Sequence, residues 1–535
     1  MDRAQEIFVE ALKHQIPMNE VIDRGDSDVQ QFYSGATVFV TGGSGFLGKQ
    51  IIEKLLRSCN LKKMFVLLRP KKGKTIQERL DYLLKDPVYD YLREKKPNFL
   101  EKLVPLEGDV ADVRLGLSQD DWSLLTQEVE TVFHMAATVR FDEPLKAAVV
   151  TNVRGTRECL ALSKQCVNFK NFIYVSTAFS HATYDRVNTE VLDQFYPCPV
   201  QPETIIGMAE SMEEDRLISI AEDLIVGWPN TYTFTKAIAE ELVRTYDPDL
   251  PVCVVRPPIV TPTYYEPTPG WMDLSALSGP TGILAGIIMG FLHIFYVDKD
   301  CKLPLTPVDY VNNATIAAAW DADLKRKSGN KDIQVYTVSN NDHFITWDFI
   351  GVILRSEGKK SPSPKAVWYC WLMETNSKLV FWVISFFVHY VPAYIMDLVL
   401  GILGNMPKEI NSFVAVFRKI DKFALIYHYF LSNEWFFKDH NVQEMVSRMS
   451  PADKAIFNCD LRTIDFTEYV MVWGVGIRKY LVKDELKDSE LAYRKQQKLK
   501  IANILFISLN VIVVLSLLYQ LFKVVIWLFE MLFRY

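Results

Sequence analysis

The run Val38-Phe39-Val40-Thr41-Gly42-Gly43-Ser44-Gly45-Phe46-Leu47-Gly48 admits few folds, because an apolar, β-branched segment breaks into glycines and resumes as an amphipathic stretch from Lys49 to Arg57. Gly42, Gly45 and Gly48 stand three apart, where a missing Cβ lets the chain turn sharply, approach a pyrophosphate and pack helix on strand. The spacing predicts strand, tight turn and helix. Phosphates would rest on the helix N-terminus, with Thr41, Ser44, Phe46 and Leu47 as further candidate contacts. A second strand, Lys63 to Leu68, completes the βαβ unit that separates this motif from an ordinary glycine-rich turn.

Arg69 ends that second strand, where a fold selecting NAD places an acidic side chain on the ribose 2′-hydroxyl. Arginine there, followed by Lys71, Lys72 and Lys74, favours a 2′-phosphate and hence NADPH; a solvated basic loop is the alternative. Val104 to Val110 reads as a third strand, with Asp109 and Val110 at its carboxyl end near an adenine ring. Thr131 to Ala137 reads as a fourth, whose small residues Ala136 and Ala137 let a cofactor pass close to the backbone. His134 within it reads as a satisfied core or rim histidine rather than a base. Asn152, a further candidate cofactor contact, opens a helix to Cys166, and Asn171 to Val175 is a fifth strand. This alternation predicts an α/β fold of Rossmann type, a doubly wound parallel sheet covered on both faces.

The fifth strand delivers Ser176 and Thr177 at its carboxyl end, where open α/β sheets hold their ligands. Farther on, Asn230-Thr231-Tyr232-Thr233-Phe234-Thr235-Lys236 begins a helix, and the spacing of four puts Tyr232 and Lys236 on one face. A free phenol is a poor acid or base at neutral pH; a neighbouring ammonium is expected to favour the phenolate and bring its pKa toward the working range. Such a pair alone is common on helix surfaces. Together, the TGxxGxxG turn, the Ala-Ala strand end, the Ser-Thr-Ala strand end and YxxxK resemble the extended short-chain dehydrogenase/reductase family over roughly residues 35 to 340. The resemblance implies that Tyr232 is the catalytic acid/base and that Lys236 lowers its pKa and contacts the nicotinamide ribose. It makes Thr177 the hydroxyl partner, with Ser176 as the alternative. Arg256-Pro257-Pro258-Ile259-Val260 resembles the family's turn beside the nicotinamide, making Pro257 and Ile259 candidate contacts, although Pro258 replaces the usual glycine.

At 535 residues the chain exceeds one ordinary core, and 49% of its residues are hydrophobic, which points toward lipid or membrane. A net charge of -6 offers no broad basic surface, so nucleic acid is not an expected partner. The eight cysteines have no metal-like spacing and read as buried thiols in a reducing compartment; no metal site is expected. The start of the chain is polar and of mixed charge, so no secretory signal is expected. Residues 1–34 form a charged lead-in with no assigned chemistry. Residues 35–355 form the reductase domain. Gly282 to Val297, a long apolar stretch, either lines a lipid pocket or forms a buried helix. Lys359 to Lys365 reads as a linker to a mainly helical domain over 356–490. Within it, residues 379–403 are apolar but interrupted by His389, Pro392 and Asp397, and either span a membrane or lie at its surface. Residues 501–521 carry no charge and are long enough to cross a hydrocarbon core of about 30 Å; Val524 to Phe533 is expected to tilt into the interface.

Phe417-Arg418-Lys419-Ile420, Tyr427 to Phe430, Asn433-Glu434-Trp435-Phe436-Phe437, Cys459-Asp460 and Trp473 to Tyr480 are chemically unspecific. As a series they resemble the C-terminal, male-sterility domain of eukaryotic fatty acyl-CoA reductases of the insect type. That resemblance implies reduction of a long-chain fatty acyl-CoA to a primary alcohol with two NADPH and release of CoA. The rival readings are a membrane-bound sterol or steroid dehydrogenase and a non-catalytic NADPH-binding scaffold. Arg494, Lys495, Lys498 and Lys500 precede the apolar C-terminal segment and predict a cytosolic catalytic part on an intracellular membrane. Endoplasmic reticulum is favoured, with peroxisome as the alternative.

Overall fold

Seven largely apolar runs, all but the edge strand Leu103–Glu107 buried along most of their length, hydrogen-bond into one parallel sheet. They are β1 (Thr37–Thr41), β2 (Lys63–Leu68), β3 (Leu103–Glu107), β4 (Thr131–His134), β5 (Asn171–Val175), β6 (Val252–Arg256) and β7 (Gln334–Thr337). Their order across the sheet is β7-β6-β5-β4-β1-β2-β3. The strand order reverses between β1 and β4, which opens a crevice at their carboxyl ends. The computed structural model describes all residues except 275–278, 340–341, 405–411 and 533–535.

Alternation along β1 sorts the two faces. Val38 and Val40 join a core with Ile51 and Leu55 of α1 (Phe46–Ser58), whereas Phe39 joins the opposite core with Leu160 of α2 (Gly155–Gln165) and with Phe234 and Ile238 of α3 (Thr231–Thr245). Helix α4 (Val308–Lys327) covers the first face with Ala314, Ala317 and Ala318, all fully buried. Hydrophobic residues on both strand faces are what a sheet sandwiched between helices requires. Gly282 to Val297 becomes a short helix, Pro280–Ile288, and a strand, Ile294–Tyr296, both largely inside the protein.

The longer helices of the second half include α5 (Lys378–Leu403), α6 (Phe413–Leu431), α7 (Phe466–Gly476) and α8 (Ser489–Leu532). They do not form a detached lobe. Tyr469 donates to Thr261 Oγ1 at 2.6 Å, Tyr264 donates to Glu468 at 2.7 Å, and Arg448 pairs with the buried Asp321 at 2.7 Å. Lys54 of α1, fully buried, bridges Glu266 at 2.6 Å and the Ile456 carbonyl at 2.5 Å. The charged lead-in folds into three helices, and Ser27 donates to Asp453 at 2.5 Å. The expected linker at Lys359 to Lys365 is not free: Ser363 is buried and donates to Asp484 at 2.7 Å, while the Ser361 carbonyl accepts from Arg478. Its serines satisfy a buried ion pair instead of solvent. The C-terminal apolar segment is one helix through Leu532, so residues 524–532 continue α8 rather than turning aside; Phe533 lies outside the described residues.

Candidate active site

The cofactor side is built from backbone. Gly42 has φ +75°, and a Cβ there would lie 2.7 Å from the Ala136 amide nitrogen; a Cβ on Gly48 would lie 2.1 Å from the Gly42 carbonyl. The turn after β1 is therefore wedged between α1 and the end of β4, and only glycine fits at either contact. Gly45 begins α1 without a side-chain cap, so first-turn N–H groups provide the donors an anion needs. Ala136 and Ala137 are half-buried beside them, and Ser44 is exposed at the tip of the turn. These features fit a dinucleotide: close backbone approach, an uncapped helix end and small side chains at one crevice.

Other expected contacts sort themselves by what already engages them. Thr41 meets His134 Nδ1 at 2.7 Å, and His134 Nε2 meets Thr156 at 3.0 Å. Burial pushes His134 down to about 3, so it is a neutral core histidine. The Phe46 ring lies 5.4 Å from Trp271, and the Leu47 carbonyl accepts from Asn312 at 2.9 Å. Asp109 is half-buried and accepts from the Ala111 amide at 3.0 Å; the Val110 carbonyl abuts Gly155, whose Cβ would lie 2.7 Å away. Arg69 is exposed just beyond β2, next to Lys71, Lys72 and Lys74. Asn152 bridges Thr138 and Thr235, accepting from the Thr138 amide at 2.9 Å and donating to Thr235 Oγ1 at 3.0 Å. It positions the loop after β4 against α3, one residue before Lys236. The Pro257 carbonyl accepts from Ala178 at 2.8 Å and the Ile259 amide donates to the Pro304 carbonyl at 3.0 Å. Because Pro258 has no N–H, this turn offers a ligand side-chain surface, not an amide.

Tyr232 lies in the first turn of α3, which Asn230 caps by accepting from the Thr233 amide at 2.9 Å. Burial pushes the phenol up to about 12, moderated by a hydrogen bond with Thr177. The expected lowering by Lys236 does not occur here. The Lys236 ammonium donates to the Val175 carbonyl at 2.8 Å and lies 4.8 Å over the Tyr174 ring. Burial pushes it down to about 7, against the pull of Glu240. Desolvation outweighs the attraction that spacing alone predicts.

Ser176 and Thr177 point to different partners. Ser176 donates to Glu240 Oε1 at 2.5 Å, whereas Thr177 faces Tyr232. Glu240, one turn beyond Lys236, was not singled out by the sequence, although YxxxKxxxE was visible in it. Its buried carboxylate also accepts from Ser180 at 3.0 Å, from His181 at 3.2 Å and from both Arg256 Nε at 3.0 Å and Arg256 NH2 at 2.6 Å. Arg256 beside it holds the carboxyl well below the usual carboxylate range against burial, which alone would raise it. This network locks the carboxyl ends of β5 and β6 to α3 beneath the Tyr232–Thr177 pair.

The opposite wall is aromatic and comes from distant segments. Phe141 stacks 6.0 Å from Tyr232, 4.7 Å from Tyr427 and 5.0 Å from Phe430; Phe179 lies 5.2 Å from Phe430 and 5.3 Å from Phe437. Lys422 of α6 pairs with Asp142 at 3.0 Å, tying that wall to the loop after β4. The aromatic run at 427–430 was visible in the sequence, but nothing local assigned it to this cleft.

A reversing parallel sheet, a glycine turn at its crevice and a helix-borne tyrosine beside a threonine at the adjacent strand end define a nicotinamide-dependent oxidoreductase of the short-chain dehydrogenase/reductase type. Two male sterility protein models match the chain, the NAD-binding one over residues 40–315 and the second over 388–484. The chain is 35% identical over 478 residues to the fatty acyl-CoA reductase wat of Drosophila melanogaster, spanning 89% of this chain and 90% of that protein. It is 33% identical to fatty acyl-CoA reductase 2 of Mus musculus, covering 90% of this chain and 91% of the relative. It belongs to the fatty acyl-CoA reductase family. Among solved structures, the reductase domain of a nonribosomal peptide synthetase from Mycobacterium tuberculosis superposes with a TM-score of 0.54 at 19% identity, covering 85% of this chain and 97% of that one. This likeness is one of fold.

Proposed function

We propose that this enzyme reduces a long-chain fatty acyl-CoA to the primary alcohol, uses NADPH, and releases CoA. The observation that carries the reading is the placement of Tyr232 and Thr177 between the glycine-lined crevice and the aromatic wall. A reduced nicotinamide supplies hydride, two equivalents for each thioester taken to alcohol. Tyr232 and Thr177 hydrogen-bond the thioester oxygen and stabilise the negative charge that develops there once the carbonyl carbon is reduced. As the carbonyl re-forms and CoA thiolate leaves, the same two hydroxyls hold the aldehyde oxygen. Tyr232 then gives its proton to the alkoxide of the second reduction. A phenol near 12 is fully protonated at neutral pH, and an alkoxide is basic enough to take its proton. Lys236 and the Glu240 network hold α3 in register with β5, and Phe141, Tyr427 and Phe430 exclude water from the acyl side.

Arg69, exposed with Lys71, Lys72 and Lys74, is the proposed partner of a 2′-phosphate. Helix α8, preceded by Arg494, Lys495, Lys498 and Lys500, is the proposed anchor that keeps the catalytic part on the cytosolic face of an intracellular membrane, with the endoplasmic reticulum favoured. The test is incubation of membranes bearing the full chain with palmitoyl-CoA and NADPH. Fatty alcohol and free CoA are expected; NADPH consumption with a 3-ketosteroid but none with palmitoyl-CoA would overturn the reading.

A further inference from the structure

Among the described residues two helices are long and apolar enough to cross a membrane, α5 and α8, and the fold treats them differently. Helix α8 leaves the protein with nearly all of its apolar surface exposed. Helix α5 instead lies antiparallel to α6. Near its C-terminal end, Asp397 accepts from the Phe413 amide at 2.7 Å and from Ser412 Oγ at 2.6 Å. Midway, Tyr390 donates to the buried Asp421 at 2.6 Å and the His389 ring stacks 4.7 Å from Phe417. Toward its start, Phe381 lies 5.7 Å from Tyr296, which stacks 3.6 Å from His428. Helix α6 therefore packs directly on α5 from Asp397 back to His389, reaches its first turn only through Tyr296, and ends at the aromatic wall of the active site.

That pairing decides whether α5 can cross. If α5 spanned the bilayer, α6 would have to span it too, with Arg418, Lys419, Asp421 and Lys422 near mid-depth. Arg418, Lys419 and Lys422 are exposed, and charges in hydrocarbon that do not face a protein interior or a water-filled cavity are strongly disfavoured. Yet among the described residues nothing covers the outer face of α5: Leu379, Phe386, Ile395, Leu398, Ile402 and Leu403 are all more than half exposed.

The position of α8 indicates what covers that face. Where α8 emerges, Asn503 accepts from Trp368 Nε1 at 2.8 Å and from Trp371 Nε1 at 3.2 Å. The Trp371 ring lies 5.0 Å from His293, whose amide donates to His389 of α5 at 3.0 Å. The anchor and the apolar face of α5 thus leave the protein side by side, with a tryptophan pair between them, the side chain enriched at membrane–water interfaces.

We infer that α5 is a monotopic wedge: it lies in the single leaflet next to the catalytic domain, beside the point where α8 enters, while α6 stays at the aqueous surface. The inference rests on the membrane anchoring proposed above. At about 1.5 Å per residue, α6 carries the chain roughly 21 Å from the wedge end to Tyr427 and roughly 26 Å to Phe430. The acyl end of the site is thereby held facing the leaflet from which an acyl chain would arrive.

The test uses the full chain with single substitutions Ile402→Cys, Lys419→Cys or Leu515→Cys, each labelled with a fluorophore. The proteins are reconstituted into phosphatidylcholine–phosphatidylserine vesicles carrying acyl-chain nitroxide lipids. The unsubstituted chain, whose described cysteines are buried or half-buried, sets the labelling baseline. Probes at 402 and 515 are expected to lose most of their fluorescence to the nitroxide. The probe at 419 should keep its fluorescence and respond to iodide added on the side that bears the catalytic domain. Quenching at 515 without quenching at 402 overturns the wedge while leaving the anchor intact, and cross-linking through 402 would then identify a second copy as its cover. A residue 419 reachable only from the opposite side shows that the hairpin crosses, which also overturns it. Loss of quenching at both 402 and 515 overturns the anchoring itself.

Discussion

The wall of the cleft made by β1 and β4 is main chain: Gly42 and Gly48 leave no room for a Cβ, and the contacts they permit lie within a short stretch or an adjacent strand. The facing wall is side chain: Phe141, Phe179, Tyr427, Phe430 and Phe437 converge from both halves of the sequence. A surface of backbone presents the same donors whatever surrounds it and suits an invariant cofactor. A surface of aromatic side chains can change with the acyl group it must accept. Between the two walls stands α3, which touches both through Tyr232 and is anchored from below by Glu240.

The contrast can be broken most severely at the point where the walls meet. Tyr232→Phe keeps the ring against Phe141 and removes the proton donor, and should lower alcohol formation by about 10²–10⁴-fold with NADPH affinity preserved. Product analysis in membranes supplied with palmitoyl-CoA checks this; near-normal output removes Tyr232 from the chemistry. Next in size is Glu240→Gln, which strands Arg256 without its buried counter-charge and should cost about 3–5 kcal/mol in denaturant unfolding. Because the carboxyl is held low in the fold, its stabilisation is present above the ordinary glutamate pKa and disappears as pH falls through the folded value. The gap between Glu240→Gln and the parent should therefore be constant from pH 6 to 8, by the estimate of about 4.3 for a free glutamate, and narrow only in acid.

Gly48→Ala tests the backbone wall by itself. A Cβ placed 2.1 Å from the Gly42 carbonyl must push the turn outward, at about 1–3 kcal/mol. Cofactor titration should show weakened binding while the KM for acyl-CoA changes little; equal losses in both would mean that the two walls are not separable. Smallest is Arg69→Ala. Losing one charge-assisted contact, about 1.5 kcal/mol, should weaken NADPH roughly tenfold and leave NADH unchanged in parallel titrations. Equal weakening of both would place the 2′-phosphate elsewhere.

The legibility of the molecule follows the same division. The parallel sheet and the glycine turn could be read from local runs, because strand burial, turn chemistry and helix spacing are written within a dozen residues. His134 was legible as a core histidine for the same reason: it lies inside an apolar strand. Glu240 was not, because its partners Ser176, His181 and Arg256 come from two other segments and a glutamate on a helix normally reads as solvated. The upward shift of the Tyr232 phenol is hidden from the sequence on the same ground. Helical spacing gives proximity to Lys236, but the direction of the ammonium and the depth of burial depend on β5 beneath it.

The membrane segments show where the boundary falls. Hydropathy marked both residues 379–403 and 501–521, and it had nothing more to say about either, since an apolar stretch scores alike whether it faces lipid, protein or both. Sequence alone determined the dinucleotide fold, since apolar strands and missing Cβ atoms act on their immediate neighbours. Tertiary structure alone decided which hydroxyl meets Tyr232, which aromatics close the acyl side and which apolar helix is paired with a charged one. Each of those depends on atoms brought together across hundreds of residues, and their energies exist only once the chain has folded.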